Sequence, residues 1–232
     1  MKSLDLRPLG GAFKTRTENQ EKLVDQILEH SVTLCKGPAG SGKTMVSIGV
    51  ALHLLAQNQV KRIVLSRPIV ESGENLGFLP GDINSKVNVY MLPLYDCIDE
   101  LIRKPNREKL MEEGIIEIAP LAYLRGRTMS DCVMILDEAQ NTTKTQMKML
   151  LTRLGKKGKM IINGDVTQND LKHWQESGFA DAWDRLSHIK GIGYAEFNVE
   201  DVVRHKLVKE IINAYDGPPS TLDEVNNEQI KS

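Results

Sequence analysis

Short apolar runs alternate with longer amphipathic segments along most of this chain. Runs that are apolar throughout are typical of strands buried on both faces of a parallel sheet, and the segments between them repeat apolar residues at helical spacing. The pattern predicts an α/β fold, a three-layer doubly wound parallel sheet. The predicted strands are residues 32–36, 62–66, 133–137, 160–164 and 193–198, with a further short one at 115–119.

The amphipathic segments predict the helices, and together with the strands they predict one domain. The predicted helices are residues 18–29, 44–57, 92–103, 144–153, 179–187 and 202–214. Residues 68–89 are rich in Gly and Pro and predict an irregular excursion, where α/β enzymes often keep functional loops. We expect an N-terminal extension at 1–16, one doubly wound domain at 17–215, and a flexible acidic tail at 216–232 that opens with Gly-Pro-Pro.

Charge and cysteine content narrow the class of protein. The chain of 232 residues has 30 Lys and Arg against 31 Asp and Glu, so no global basic field indicates a nucleic-acid partner. Cys35, Cys97 and Cys132 are odd in number and far apart, which favours buried core residues in a reducing compartment. No apolar run approaches membrane-spanning length, and the first residues lack the apolar core of a signal peptide. We expect a cytoplasmic protein, in the host cytoplasm if the chain is viral, with no membrane contact.

The run GPAGSGKT fits the phosphate-binding loop pattern G-x-x-x-x-G-K-[ST] between a predicted strand and a predicted helix, which puts a phosphate at a helix N-terminus. Glycine tolerates backbone angles that turn successive N–H groups inward around a phosphate. Lys43 would reach the β- and γ-phosphates, and the Thr44 hydroxyl would bind Mg²⁺. The alternative is a Gly-rich turn without a ligand. The candidate nucleotide-binding residues here are Gly37, Pro38, Ala39, Gly40, Ser41, Gly42, Lys43, Thr44 and Met45.

Two acids follow the predicted strand at 133–137. Asp137 would lie at the carboxyl end of a rigid, buried strand, where it could act as a Mg²⁺ ligand. Glu138 can accept a proton from the attacking water or orient that water. The alternative is a solvated strand end, which the upstream loop makes less attractive. Since a small-molecule kinase has no need of the second acid, the Asp-Glu pair favours hydrolysis.

Two glutamines are weaker candidates. Gln168 follows the strand at 160–164 and is placed to sense the γ-phosphate or the attacking water, while the nearby Asp165 could instead form an Asx-type turn that caps a helix. Gln20 precedes the first strand by a helix and could read the adenine edge. The alternative for Gln20 is a solvated helix face.

These motifs and several longer ones make the chain similar to the PhoH family of P-loop ATPases, whose core looks like the first RecA-type domain of superfamily-one helicases. The resemblance covers nearly the whole chain, from about Thr17 to Tyr215. It implies a RecA-like fold and ATP hydrolysis on Mg²⁺, with Lys43, Thr44, Asp137, Glu138 and Gln168 in the roles given above. The motifs that carry it are GPAGSGKT, SRPIVESGENLGFLPGDI from Ser66, LAYLRGRTMSD from Leu121, VMILDEAQNTT from Val133, NGDVTQND from Asn163 and DVVRHKLVKEII from Asp201.

The resemblance also implies roles for four arginines. Arg67 would bind beside the nucleotide, Arg125 and Arg127 could grip a phosphodiester or a neighbouring subunit, and Arg204 would be an arginine finger. The alternative for each is an exposed arginine lying over the surface, and for Arg204 also a packing role.

The resemblance finally sets expectations for partners. A superfamily-one helicase closes ATP between two RecA-type domains, whereas this chain has room for one, so we expect a homo-oligomer, such as a ring. The leading hypothesis is an ATP-driven remodeller or translocase on RNA or single-stranded DNA, favoured by basic residues such as Lys156, Lys157 and Lys159. Near-neutral charge and the lack of an aromatic stacking platform count against it. An ATPase switch on a protein partner is the main alternative, and a small-molecule kinase is a third.

Overall fold

The computed structural model of the chain describes residues 1–69, 83–168, 170–171, 176–202 and 207, with only the backbone at 83–87. Residues 70–82, Arg204, most of the predicted helix at 202–214 and the predicted tail at 216–232 lie outside the described residues. No helix in the described part of the chain is both long and apolar enough to cross a membrane.

The first sixteen residues form a small hairpin that packs on the rest of the protein. Strands β1, Ser3–Leu4, and β2, Phe13–Lys14, pair antiparallel. Between them Leu6 is fully buried and belongs to the same apolar core as the first long helices. The segment predicted as an extension therefore covers core residues of the domain.

The central sheet has six parallel strands in the order β5-β4-β6-β7-β3-β8 within the described residues, which confirms the predicted doubly wound α/β fold. The phosphate-loop strand β3 and the strand β6 that precedes the two acids flank β7. Because all six strands are parallel, their carboxyl ends meet at one edge. The strands are β3 Val32–Lys36, β4 Arg62–Ser66, β5 Ile116–Ile118, β6 Cys132–Leu136, β7 Lys159–Gly164 and β8 Ile192–Glu196.

Helices cover both faces of the sheet, and alternate strand residues face the two layers. In β4, Ile63 and Leu65 join a core that includes α1, α2 and α3, whereas Val64 joins a second core that includes α5 and α6. The helices are α1 Glu18–Glu29, α2 Lys43–Ala56, α3 Ile83–Leu101, α4 Lys104–Glu112, α5 Lys144–Leu151 and α6 Gly178–Leu186.

The structure corrects two of the predictions about helices. Residues 83–89, expected in an irregular excursion, are the first turns of α3, which continues through Pro93. The next helix, α4, was not predicted, because a polar sequence with few apolar residues gives no helical periodicity. Pro105 lies in its first turn, where a missing N–H breaks no helical hydrogen bond.

A lysine on β7 satisfies the carboxyl end of α1. The Lys159 ammonium donates to the carbonyls of Ile27, Leu28 and His30 at 2.8, 3.0 and 2.8 Å. These carbonyls end the helix, carry its partial negative charge and have no glycine cap. Burial lowers the pKa of Lys159. Lys159 was expected among the basic residues that would contact a nucleic acid. Its ammonium instead binds the end of α1 and holds that helix on the sheet.

We expect Lys159→Met to lower the free energy of unfolding by about 1–2 kcal/mol, because it leaves three helix-end carbonyls without their charged donor. Urea unfolding followed by circular dichroism would measure the change. Lys156→Met, at an exposed position nearby, is the control and should stay within about 0.5 kcal/mol of wild type. Equal losses in the two variants would contradict the capping role.

Candidate functional site

The phosphate-binding loop joins β3 to α2 with two glycines in the left-handed region, Gly40 at φ 78° and Gly42 at φ 87°. The conformation of Gly42 favours glycine, and a Cβ there would lie 2.8 Å from the Gln20 amide nitrogen, so the Gln20 side chain would have to shift. The Lys43 ammonium donates to the carbonyls of Gly37 and Pro38 at 2.7 and 2.8 Å. The Lys43 side chain therefore lies over the phosphate-binding loop, whose backbone N–H groups would hold a phosphate.

Gln20 holds this loop in place. It is only 5% exposed, its Nε2 donates to the Ser41 carbonyl at 3.2 Å, and its Oε1 accepts from the Arg16 N–H at 2.7 Å. The alternative of a solvated helix face is wrong. One amide hydrogen and one lone pair remain for other partners, so reading the adenine edge stays a prediction.

Asp137 follows β6 and is 3% exposed. Its Oδ1 accepts from the Thr44 hydroxyl at 2.6 Å, and its Oδ2 accepts from Nε of Arg67 at 2.9 Å. Nη2 of Arg67 lies 3.2 Å from Glu138 Oε1. Arg67 therefore lies between the two acids and compensates their charge, as a buried carboxylate requires.

Glu138 has an unusual backbone. Its φ of 54° places it in the left-handed region, which costs a non-glycine residue about 1–2 kcal/mol. Oε1 is paired with Arg67 and Oε2 accepts from Gln140 Nε2 at 2.7 Å. Strain of this kind persists where surrounding contacts impose it and is common at functional sites. The side chain is 40% exposed, so its carboxylate is accessible to water.

Asp165 connects the next strand to the loop. It follows β7, its Oδ2 accepts from the Ala39 N–H at 2.9 Å, and its own N–H donates to Gln140 Oε1 at 2.9 Å. Its Oδ1 accepts from the Thr167 N–H and hydroxyl at 3.0 and 2.6 Å, which is the Asx-type turn considered from the sequence. Asp165 makes this turn and the contact to the phosphate-binding loop at the same time.

Sequence reasoning assigned Gln140 no role, although it lies two residues after Glu138 in the same motif. Gln168 is exposed and close to Asp165, whose carbonyl accepts the Gln168 N–H at 3.2 Å. Both glutamines line a cavity of about 300 Å³ at the carboxyl edge of the sheet. Its wall also includes Ala39, Gly40, Gly42, Lys43, Thr44, Met45, Arg67, Asp137, Glu138, Asn163 and Asp165.

A second cavity of about 770 Å³ lies on the other side of the loop. It shares Gly40, Gly42 and Met45 with the first cavity and continues to the N-terminal hairpin at Phe13 and to Gln20. The two cavities therefore adjoin at the phosphate-binding loop.

Arg125 and Arg127 are not among the described residues that line the cavity, and Arg204 lies outside the described residues. Arg127 makes two bonds of 2.6 Å to Glu117 on β5, and this hydrogen bonding lowers the pKa of the Glu117 carboxyl. Arg125 is exposed on the segment that follows β5, and Tyr123, two residues earlier, is 59% exposed. The start of this segment is tied to the site, since the Leu121 N–H donates to the Arg67 carbonyl at 3.2 Å.

The residues present fit a magnesium ion bound together with phosphates. The Thr44 hydroxyl and the Asp137 carboxylate are hard oxygen donors on adjacent side chains. Mg²⁺ is usually held by one or two such side chains, with phosphate oxygens and water completing the shell. Within the described residues, no three or more His, Cys, Asp or Glu side chains form a group that could hold a metal ion.

Comparison with known proteins places this geometry in a family. A family model described as PhoH-like protein matches residues 12–216. The PhoH-like protein of Bacillus subtilis (strain 168) is 51% identical over 207 residues, which are 89% of this chain and 65% of that protein. Protein PhoH of Escherichia coli (strain K12) is 42% identical over 202 residues, 86% of this chain and 57% of that protein. The chain thus spans less than two thirds of the length of these relatives.

Among solved structures, the large terminase from a thermophilic bacteriophage is similar with a TM-score of 0.50 at 13% identity. The similarity covers 86% of this chain and 50% of that one. At this identity the likeness concerns the fold, and it agrees with a RecA-like P-loop core. Because the family match extends over most of the sequence, this chain belongs to the PhoH-like protein family.

Proposed function

We propose that this chain binds ATP with Mg²⁺ and hydrolyses it. The observation that carries the proposal is the convergence of Lys43, Thr44, Asp137 and Glu138 on one cavity, with Arg67 between the acids. These groups come from a loop and two strand ends that the parallel sheet brings to one edge. An ATP hydrolase needs this combination: a phosphate cradle, metal ligands and a base for water.

Each side chain then has a chemical task. Lys43 and the loop N–H groups bind the β- and γ-phosphates, and Thr44 and Asp137 hold Mg²⁺, which neutralises charge on the phosphate oxygens. Glu138 takes the proton of the attacking water, because its carboxylate is accessible and held on both oxygens. Gln168 contacts the γ-phosphate or the water from the opposite wall.

The second cavity is the proposed site of the base. It adjoins the phosphate cavity through Gly40, Gly42 and Met45, so a nucleotide can cross the loop between them. Gln20 lines it and keeps one amide hydrogen and one lone pair for the adenine edge. The Phe13 ring and the Met45 side chain offer apolar contacts to a flat base.

We propose RNA or single-stranded DNA as the partner that ATP turnover acts on. Tyr123 and Arg125 are both exposed, two residues apart, on a segment whose Leu121 N–H donates to the Arg67 carbonyl. An exposed ring can stack on a base of any sequence, and an arginine can bind the adjoining phosphate. Arg127 contributes less, since Glu117 occupies its guanidinium.

We further propose that the active form is a closed homo-oligomer such as a ring. The cavity is open to solvent at Glu138, so a neighbouring subunit can cover it. Arg67 is the one arginine that lines the cavity among the described residues, and it already pairs with both acids. Arg204, outside the described residues, would supply the arginine finger across the interface.

Two substitutions separate binding from chemistry. We expect Lys43→Ala to weaken ATP binding, and Glu138→Gln to keep ATP bound while lowering kcat by about 10²–10⁴-fold, because only Glu138→Gln spares the phosphate cradle. Fluorescent-nucleotide titration and phosphate release measure the two effects. Glu112→Gln, on the exposed surface of α4, is the control for the loss of one charge. Equal loss of ATP binding in both site variants would make Glu138 structural.

The nucleic-acid hypothesis predicts that single-stranded RNA or DNA stimulates ATP turnover at low salt and that added salt removes the effect. Tyr123→Ala should weaken binding of the strand by about 1–3 kcal/mol through lost stacking. Arg125→Ala should weaken it and also reduce the salt dependence. Lys61→Ala is the control, since this exposed residue precedes β4 and lies at the amino ends of the strands, away from the proposed site. Turnover that no nucleic acid changes would favour the ATPase switch on a protein partner.

The oligomer hypothesis predicts recovery of activity in mixtures. Glu138→Gln and Arg204→Ala chains should each be inactive alone, yet mixed oligomers would contain interfaces with an intact site and an intact finger. An arginine finger can contribute about 10³–10⁵-fold in turnover, so partial recovery is measurable. Co-purification of one untagged variant with the other, affinity-tagged variant would first show that mixing has occurred. Demonstrably mixed oligomers without recovered turnover would contradict action between subunits.

A further inference from the structure

Gln140 uses both ends of its side-chain amide inside the site. It lies in the short 3-10 turn Ala139–Asn141 and is 1% exposed. Its Nε2 donates to Glu138 Oε2 at 2.7 Å, and its Oε1 accepts from the Asp165 N–H at 2.9 Å. An amide is a directional connector with a donor on one side and an acceptor on the other, so this orientation is set by both partners.

The two contacts close a ring of hydrogen bonds around the phosphate cavity. Asp165, on one side of Gln140, holds the Ala39 N–H of the phosphate-binding loop. Glu138, on the other side, is joined through Arg67 and Asp137 to Thr44 at the start of α2. The ring therefore begins and ends on the loop, and Gln140 is the member that joins its two halves. In order, its members are Ala39, Asp165, Gln140, Glu138, Arg67, Asp137 and Thr44.

We infer that Gln140 is a positioning residue for hydrolysis, acting through Glu138, an inference that rests on the proposed ATPase function. A glutamate side chain is flexible, and fixing it costs up to about 2 kcal/mol of rotamer entropy. Glu138 is 40% exposed, so core packing does not immobilise it. The bond from Gln140 fixes one carboxylate oxygen, and Arg67 fixes the other. The same amide links this carboxylate to Asp165 and thereby to the loop that carries Gln168.

Asn141 offers a comparison that distinguishes the positioning of Glu138 from simple support of the loop that follows β7. Its Oδ1 accepts from the Asp170 N–H at 2.9 Å, and its Nδ2 donates to Asp170 Oδ2 at 3.3 Å. Asn141 thus anchors the far end of the loop that follows β7, at Asp170, in the way that Gln140 anchors the beginning of that loop, at Asp165. The difference is the carboxylate that each amide faces: Asp170 for Asn141 and the proposed base, Glu138, for Gln140.

The matched pair Gln140→Glu and Asn141→Asp tests the inference. Each substitution keeps the acceptor for a backbone N–H and replaces a donor by an oxygen that faces a carboxylate. We expect Gln140→Glu to lower kcat by about 10²-fold, the usual effect of misplacing a reacting group, with the KM for ATP and the dissociation constant of Mg²⁺·ATP unchanged. It should also weaken binding of Mg²⁺·ADP with aluminium fluoride, a mimic of the reacting phosphoryl group. Asn141→Asp should leave kcat near the wild-type value.

Gln140→Met is the second variant, since it removes both bonds without adding a charge and conserves volume. This variant should likewise lower kcat while leaving the dissociation constant of Mg²⁺·ATP unchanged. Wild-type kcat in both Gln140 variants would overturn the inference, and so would an equal fall of kcat and ATP binding in Gln140→Glu and Asn141→Asp. A wild-type chain that binds Mg²⁺·ATP without turnover would instead overturn the proposed function. The two failures are therefore distinguishable.

Discussion

The hydrogen bond between the Thr44 hydroxyl and Asp137 joins the start of α2 to the end of β6 across the intervening strand β7. It exists only because the parallel sheet presents the carboxyl ends of these strands at one edge. Gly164 at the end of β7 packs so closely on Phe179 that a Cβ would lie 2.5 Å from the ring, and its carbonyl accepts the Gly37 N–H. The strand between the loop and the acids therefore sets their separation.

Charge compensation is the second constraint at this edge. Three carboxylates, Asp137, Glu138 and Asp165, line the cavity at the carboxyl edge of the sheet, and repulsion between like charges is strong where water is excluded. Arg67 offsets the first two. The Ala39 N–H and the Thr167 hydroxyl hold the third by hydrogen bonds. The site thus keeps three acids close together by giving each carboxylate oxygen a donor.

The strands and the phosphate-binding loop were predictable from the sequence, because an apolar run or a glycine spacing is a local signal. β3, β4 and α1 were predicted with the observed ends. The contacts of Gln20, Arg127 and Gln140 were not predictable, since each depends on a partner that only the fold brings near. Helix α4 was missed because its polar sequence has no apolar stripe. The position of the two acids at a strand end predicted their roles, whereas the ring of hydrogen bonds around them depends on residues that only the fold brings together.

The pairing of β3 has a consequence for the order in which the protein matures during synthesis. Val32, at the start of the phosphate-loop strand, lies opposite Met160 on one side and Ile192 on the other. Both neighbours are translated long after β3 leaves the ribosome, and such distant pairings form slowly. The nascent chain therefore carries GPAGSGKT without the neighbours of β3 until β7 and β8 have been translated. The hydrogen bonds from Gly37 to Gly164 and from Ala39 to Asp165, which hold the loop against the end of β7, can form only after β7 has emerged from the ribosome.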